Sequence, residues 1–364
     1  MTREHLLAVA RNGGREPLDL SLGVACDAAP DRCAADREER GEPGYPKSAG
    51  SDALRAAAAD SLRRRFRVSL PADSVAACVG SKEFIASAAL FLRRDVGAGA
   101  RDTVLIPSLC YPTYAVGAEL AGLRAVRVPL DENLRMRLDR VPTTDVRRAL
   151  CLWVNSPANP TGVVEPLAAV AQWGRTHGVL VLSDEAYAGQ TWRHRPATVL
   201  SSGVDGVLAV HSLSKSSHAP ALRVGFYAGD PRLVRILADR RRDAGLMAAT
   251  LAQTAAARLL SDDHHVIRQH RRTRHRLFSL VRLLNGTGLR CDPPEGGMFV
   301  WLRAPGGDGD RFACLAAQEA GLVLAPGSRY GPAGRPWVRV AATEEPESVQ
   351  PRLELLAASP VIRR

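Results

Sequence analysis

Three short apolar runs, each followed by polar residues, constrain the fold of this 364-residue chain more than any other feature. They cover residues 149–154, 179–182 and 206–210. Continuous apolar runs of this length, bounded by polar residues, are typical of parallel strands that are covered on both faces. The chain is therefore predicted to have an α/β fold with a mostly parallel central sheet flanked by helices.

The residues that come after the three runs are candidates for a functional site, because ligands of open α/β sheets bind beyond the carboxyl ends of the strands. Asn159 lies in the loop 155–162, where two Asn-x-Pro or Asn-Pro turns hold amide side chains in place. Asp184 and Tyr187 follow the second run, and Lys215 follows the third. We predict that the strand ends bring these four side chains to one edge of the sheet.

The composition singles out Lys215 among these residues. The chain has only 3 lysines, Lys47, Lys82 and Lys215, against 46 arginines. Arginine replaces lysine wherever only a surface cation is needed, but it does not deprotonate to a neutral amine that forms a Schiff base. A chain that has exchanged nearly every lysine should keep those whose amine is chemically needed. The alternative is that codon usage drove the exchange and that the three lysines remain by chance.

A lysine, a carboxylate, a phenol and an amide on one rim suit a pyridine aldehyde cofactor. Lys215 would form an imine with the aldehyde, and Asp184 would keep the ring nitrogen protonated, so that the ring accepts electrons from a substrate carbanion. Asn159 and Tyr187 would hydrogen-bond the ring oxygen. The same four residues therefore predict both a cofactor and its orientation.

A phosphate on such a cofactor needs a site that binds anions. The segment Gly80-Ser81-Lys82-Glu83 stands directly before an apolar helical run, so its backbone N–H groups would lie at a helix N-terminus. Ser212, Ser214 and Arg223 are candidates for the remaining phosphate contacts.

At this point the chain resembles the class I/II aminotransferases, which are fold type I enzymes dependent on pyridoxal 5′-phosphate. Motifs typical of the family occur in order along almost the whole chain: Gly44–Pro46, Gly80–Glu83, Pro107 with Tyr111–Tyr114, Asn155–Gly162, Ser183–Tyr187, Ser212–Lys215, Arg223–Phe226, Glu295–Phe299 and Trp337–Val340. Within the family, the motifs look most similar to those of actinobacterial N-succinyl-diaminopimelate aminotransferases.

The resemblance implies a large cofactor-binding domain and a smaller α+β domain. We place the large domain at residues 45–260 and the small domain at 261–364, with an N-terminal arm, 1–44, that joins the small domain. The implied activity is transfer of an amino group between an amino acid and a 2-oxo acid by a ping-pong mechanism. Glutamate would be the donor and a dicarboxylic keto acid the acceptor, and the working unit would be a homodimer.

The resemblance also implies a role for each motif residue. Lys215 would carry the cofactor and move the substrate Cα proton, while Tyr111 would stack on the ring. The phosphate contacts would come from the Ser81 and Lys82 amides, Ser212, Ser214, Arg223 and, from the neighbouring subunit, Tyr45. Arg339 would bind the substrate α-carboxylate with two hydrogen bonds, and Gly23 and Asn159 would lie beside that carboxylate.

Two positions and two segments leave alternatives open. Asp184 could be a helix cap at a strand end, and Arg339 lies in a Val-Arg-Val alternation that also suits a solvent-facing strand position. Residues 188–193 and 218–223 depart from the family pattern, and Pro220 stiffens the second segment. These departures are compatible with a diverged enzyme that performs replacement, elimination or annulation at Cβ or Cγ. A non-catalytic regulator that only binds the cofactor is a third alternative.

The remaining composition predicts a soluble cytoplasmic protein without metal, nucleic acid or membrane partners. The net charge of +11 is attributed to surface arginines such as 240–242, although it also suits polyanionic substrates. Histidines 264, 265, 270 and 275 are expected to be solvated. The seven scattered cysteines favour free thiols in a reducing compartment. We find no signal peptide and no apolar run of membrane length.

Overall fold

Helices and strands alternate along most of the chain in the computed structural model, which describes residues 1–24, 26–28, 30, 44–95 and 101–359. The helices are α1 Arg3–Asn12, α2 Asp52–Phe66, α3 Ser81–Asp95, α4 Thr113–Leu120, α5 Thr143–Arg148, α6 Leu167–His177, α7 Leu213–Ser216, α8 Pro231–Asp243, α9 Thr250–Leu260, α10 Asp263–Gly286, α11 Gly309–Ala320 and α12 Pro346–Ala358. The strands are β1 Leu18–Asp19, β2 Val75–Cys78, β3 Thr103–Pro107, β4 Arg124–Val128, β5 Ala149–Asn155, β6 Leu180–Asp184, β7 Val207–Ser212, β8 Gly225–Gly229, β9 Phe299–Arg303, β10 Leu322–Val323, β11 Ala325–Pro326 and β12 Trp337–Ala341.

The central sheet has seven strands in the order β2-β8-β7-β6-β5-β3-β4. The strands from β7 to β4 are parallel, and β8 runs antiparallel to both of its neighbours. The three apolar runs of the sequence are β5, β6 and β7, and every residue of these strands is buried. The predicted α/β fold with a mostly parallel sheet is therefore confirmed.

Each of these strands begins with a continuous apolar run because helices cover both faces of the sheet. Leu152 and Val154 of β5 pack into the core on one face, whereas Cys151 and Trp153 pack into the core on the other. Successive side chains of a strand point to opposite faces, so a strand buried on both sides loses the usual polar alternation.

The register of the sheet brings the functional strand ends to the same level. Asn155 of β5 pairs with Asp184 of β6, and Asp184 in turn pairs with Val210 of β7. The loops that leave these three strands therefore start side by side at one edge of the sheet.

A second, antiparallel sheet has the order β11-β12-β9 and carries Arg339 on its central strand. Helix α1 and Leu20 share a hydrophobic core with α10, α11, α12 and this sheet. The N-terminal segment thus packs with the C-terminal part of the chain. The domain boundaries at residues 44 and 260 stay a prediction.

Two sets of side chains differ from the sequence analysis. Arg241 is fully buried, because it continues the inner face of α8 after Leu233, Val234, Leu237 and Ala238. The expectation that arginines 240–242 all lie on the surface is therefore wrong for this residue. Its spacing from Leu237 and Ala238 puts it on the apolar face of the helix, although arginine is usually exposed.

The histidines of α10 are not all solvated either. His265 is buried, and its Nε2 atom lies 2.9 Å from the Ser217 hydroxyl. The His270 ring lies 4.8 Å from the Trp192 ring, measured between centroids. Helix α10 begins at Asp263, because the Asp262 side chain caps it by accepting the His264 N–H.

Six of the seven cysteines lie in the described residues and are free thiols; Cys33 lies outside them. None of the helices in the described part of the chain combines the length and the apolar character that crossing a membrane requires.

Candidate active site

A cavity of about 330 Å³ opens at the carboxyl ends of β5, β6 and β7. Its lining includes nearly all the site residues proposed from the sequence: Gly23, Ser81, Lys82, Tyr111, Asn159, Asp184, Tyr187, Ser212, Ser214, Lys215, Arg223 and Arg339. Tyr45 is the exception, since it is 93% exposed and lies outside the cavity of its own chain. Residues separated by more than three hundred positions thus meet at one place.

Lys215 lies on the short helix α7, which begins directly after β7 because the Ser212 hydroxyl caps it by accepting the Ser214 N–H. The Lys215 Nζ atom donates a hydrogen bond to the Gly23 carbonyl at 2.5 Å. Burial, as the largest cause, and the neighbouring Arg339 guanidinium together lower the pKa of this amine from 10.5 to about 8. About a tenth of the amine is therefore neutral, and so nucleophilic, at pH 7, far more than for an ordinary lysine.

We expect this lowered pKa to appear in the chemical reactivity of the lysine. The neutral fraction rises as the pH passes through about 8, so reductive methylation of Lys215 in the protein without cofactor should level off above this pH. Mass spectrometry of the Lys215 peptide measures the rate. Arg339→Met should move the inflection upward, because it removes a neighbouring cation. A rate that still rises above about pH 10 in the wild type would show an ordinary lysine.

Asp184 ends β6 and is almost completely buried. Its Oδ1 atom accepts the Ala186 N–H at 3.1 Å, and its Oδ2 atom accepts the Tyr114 hydroxyl at 2.8 Å. Burial raises the pKa of the carboxyl, and both hydrogen bonds oppose that rise. A carboxylate in this position, with neutral donors and an open cavity in front of it, would be stabilised by a cationic N–H group of a ligand. Its contact with Ala186 resembles a helix cap, but the residue also lines the cavity.

Sequence reasoning assigned no site role to Tyr114 and so missed its contribution. The ring is fully buried and stacks on Trp153, with centroids 5.2 Å apart. Its hydroxyl nevertheless binds Asp184 across 70 positions of the sequence. The available signal was the spacing from Tyr111, because two residues three positions apart lie on the same side of a helical turn.

Tyr114→Phe should lower the rate of the reaction about tenfold while lowering the free energy of unfolding by only about 1 kcal/mol. Loss of the donor raises the pKa of Asp184, so the acid limb of the pH profile of kcat/KM should move to higher pH. Tyr227→Phe is the matched control, since this buried phenol has no hydrogen-bond partner among the described residues. If the acid limb of the profile stays in place in Tyr114→Phe, Tyr114 contributes only to packing.

Arg339 is buried, so the solvent-facing alternative is wrong. Its Nη1 atom donates to Asn159 Oδ1 at 2.7 Å and its Nη2 atom to the Ser21 carbonyl at 2.5 Å. The guanidinium also lies 3.8 Å from the centroid of the Phe299 ring. Asn155 holds Asn159 in place by accepting its backbone N–H at 2.6 Å. These contacts hold the guanidinium in one orientation at the cavity wall.

Close packing explains the glycine at position 23. A Cβ atom there would lie 2.8 Å from Phe299 Cζ and 3.3 Å from Lys215 Nζ. A larger residue would therefore displace the ring or the amine, and the N-terminal segment could not pass this close to Lys215.

The candidate anion-binding segment lies at the start of α3, as expected. Ser81 and Lys82 are the first residues of α3, and the first N–H groups of a helix have no partner within the helix. A Cβ at Gly80 would lie 2.5 Å from Arg223 Nη2, so only glycine lets the guanidinium approach the turn. Ser212 and Ser214 line the same cavity. The Lys82 amine lies 5.9 Å from the centroid of the Tyr111 ring.

Comparison with known proteins agrees with this arrangement. Residues 15–354 match the model of a family described as aminotransferase class I and II. The chain is 38% identical over 341 residues to the 4-dedimethylamino-4-oxo-anhydrotetracycline transaminase OxyQ of Streptomyces rimosus, covering 91% of this chain and 90% of that protein. It is 30% identical over 372 residues to the LL-diaminopimelate aminotransferase of Dehalococcoides mccartyi, covering 96% and 93%.

Among solved structures, the probable N-succinyldiaminopimelate aminotransferase of Thermus thermophilus superposes with a TM-score of 0.86 at 26% identity, covering 98% of each chain. These similar proteins are aminotransferases. They do not favour the replacement, elimination and annulation reactions or the non-catalytic regulator that the sequence had left open.

Proposed function

Because the chain belongs to the class I and II aminotransferase family, it transfers an amino group between an amino acid and a 2-oxo acid, and we propose that pyridoxal 5′-phosphate held by Lys215 carries that group. The observation that supports the cofactor is the meeting of a buried lysine amine, a buried carboxylate and a helix N-terminus at one cavity. Each suits a different part of the molecule: the aldehyde, the ring nitrogen and the phosphate. When bound, the cofactor would take up the electron pair that is left when a bond to the substrate Cα breaks.

The side chains around this group would control position and protons. The Asp184 carboxylate would keep the ring nitrogen protonated, because its burial makes an ion pair with a cation favourable. Burial raises the pKa of the Tyr187 phenol, so it stays protonated and would donate to the ring oxygen beside Asn159. Lys215, with its lowered pKa, would accept the Cα proton and return it. Arg339 would bind the substrate α-carboxylate.

The charges in the cavity favour substrates with a further acidic group. The Lys82 amine lines it, and only the backbone amide of this residue is assigned to the phosphate; the chain also carries a net charge of +11. The named relatives act on different compounds, an oxo-anhydrotetracycline and LL-diaminopimelate. We propose a dicarboxylic amino acid such as glutamate as the donor, and an acceptor panel should include acidic and polycyclic ketones.

A half-reaction tests this function. Glutamate added without acceptor should release one 2-oxo acid per chain and then stop, and an acceptor 2-oxo acid should restart turnover with ping-pong kinetics. Failure of a broad panel of amino acids, glutamate included, to release any 2-oxo acid from protein loaded with pyridoxal phosphate would overturn the proposal.

The working unit in this proposal is a homodimer, because Tyr45 would reach the phosphate bound by the neighbouring subunit. Its almost complete exposure in one chain leaves the phenol available for this contact. Mixing Tyr45→Phe with Lys215→Ala subunits should restore activity, since hybrids contain one site with neither change. A monomer by light scattering that is active, or a mixture of the two variants that gains no activity, would contradict a phosphate site shared between subunits.

A further inference from the structure

Arg241 is fully buried on α8, between two arginines that reach the solvent. Its guanidinium makes a two-point ion pair with Glu83 on α3, with Nη2 2.5 Å from Oε2 and Nη1 2.8 Å from Oε1. The rings of Phe84 and Tyr227 lie 5.9 Å from Arg241 Cζ, measured to their centroids. A buried charge is stable only when paired, so Glu83 is held in one position.

Glu83 extends this constraint to the turn in front of α3. Its Oε2 atom accepts the backbone N–H of Val79 at 3.2 Å. The Val79 carbonyl in turn accepts a hydrogen bond from Arg223 Nη2 at 3.4 Å. Gly80 connects Val79 to the helix with φ of +80°, in the left-handed region. One buried ion pair is thereby linked to the turn, the helix N-terminus and Arg223.

We propose that Arg241 is a positioning residue for cofactor binding: through Glu83 it holds the turn 79–80, so that the Ser81 and Lys82 amides and the Arg223 guanidinium face the phosphate. The inference rests on the proposed function, because the phosphate of the cofactor is the ligand of this segment. Arg241 is not part of the cavity lining, so it acts only through Glu83 and Val79.

Arg240 offers a matched control on the same helix. It pairs with Asp95 at the other end of α3, with Nη2 2.6 Å from Oδ1 and Nε 2.7 Å from Oδ2. Both ion pairs join α8 to α3, but only the Arg241 pair reaches the helix N-terminus. If these pairs only fastened two helices together, loss of either would affect cofactor binding equally.

The test compares two ligands that differ only in the phosphate. Equilibrium dialysis of the protein without cofactor gives the Kd for pyridoxal phosphate and for pyridoxal. Arg241→Met should weaken pyridoxal phosphate binding about tenfold or more, while the Kd for pyridoxal stays within about threefold. Arg241→Lys should lose less, since it keeps a cation beside Glu83. Arg240→Met should leave both constants unchanged.

A double variant guards against misfolding. Arg241→Met alone leaves Glu83 as an unpaired charge. Glu83→Met combined with Arg241→Met replaces the ion pair by two apolar side chains, and proteins with such replacements are often as stable as the original. This double variant should show the same selective loss for the phosphate ligand. An unchanged ratio of the two Kd values, an equal loss for both ligands, or an equal effect of Arg240→Met would overturn the inference. Wild-type protein that binds neither ligand would instead overturn the proposed function.

Discussion

Replacing Lys215 by arginine is expected to lower the rate of amino transfer by about five orders of magnitude or more, the scale seen when a covalent catalytic residue is removed. Arginine keeps the positive charge, but its guanidinium neither attaches to an aldehyde nor gives and takes a proton near neutral pH. The substitution therefore separates the chemistry of the amine from its charge. The rate of 2-oxo acid release from glutamate measures it.

Lys47→Arg is the matched control, because it makes the same exchange at a solvated site. The Lys47 amine lies 2.9 Å from Asp52, and both side chains are largely exposed. An arginine serves such a surface ion pair equally well, so activity should stay near the wild type. A Lys215→Arg enzyme that kept more than about one hundredth of the wild-type rate would exclude the covalent role.

Asp184→Ala should have the second-largest effect, a loss of about three orders of magnitude or more in kcat. Without a buried carboxylate nothing keeps the cofactor ring protonated, and the ring becomes a poor acceptor of electrons. Asp184→Glu should retain part of the activity, since it keeps the charge. Steady-state kinetics with saturating cofactor separates this effect from weaker binding.

Glu185→Gln is the control for Asp184→Ala, because it removes the charge of a neighbouring buried carboxyl and so tests whether the loss of activity is specific to Asp184. Burial raises the pKa of Glu185 to about 7, but its Oε1 atom accepts the Val199 N–H and the Ser183 hydroxyl, away from the cavity. The glutamine keeps that acceptor, so activity should change by less than about threefold. If Asp184→Ala turned over at the wild-type rate, Asp184 would be only a structural cap and would have no role in the reaction.

The fold and most of the cavity were predictable because their signals are local. The apolar runs that became β5, β6 and β7 each carry their functional side chain within a few residues of the strand end. The parallel register then brings these side chains together. Asn155 pairs with Asp184, so the loops that follow β5 and β6 start side by side. The roles of Tyr111 and Arg339, by contrast, came from the family resemblance.

Contacts between distant residues were not predictable. The Tyr114 hydroxyl binds Asp184 70 positions away, and Arg241 pairs with Glu83 158 positions away. Arginine is usually exposed, so only the apolar spacing of α8 hinted that Arg241 faces inward. Which buried polar group meets which partner depends on helix packing, and no single segment contains that information.

The central claim, that Lys215 holds pyridoxal phosphate, is tested most directly by borohydride reduction of the loaded protein followed by peptide mapping with mass spectrometry. We predict one phosphopyridoxyl group per chain, on the peptide that contains Lys215. A label on Lys82 or Lys47, or protein that takes up no pyridoxal phosphate, would contradict the account.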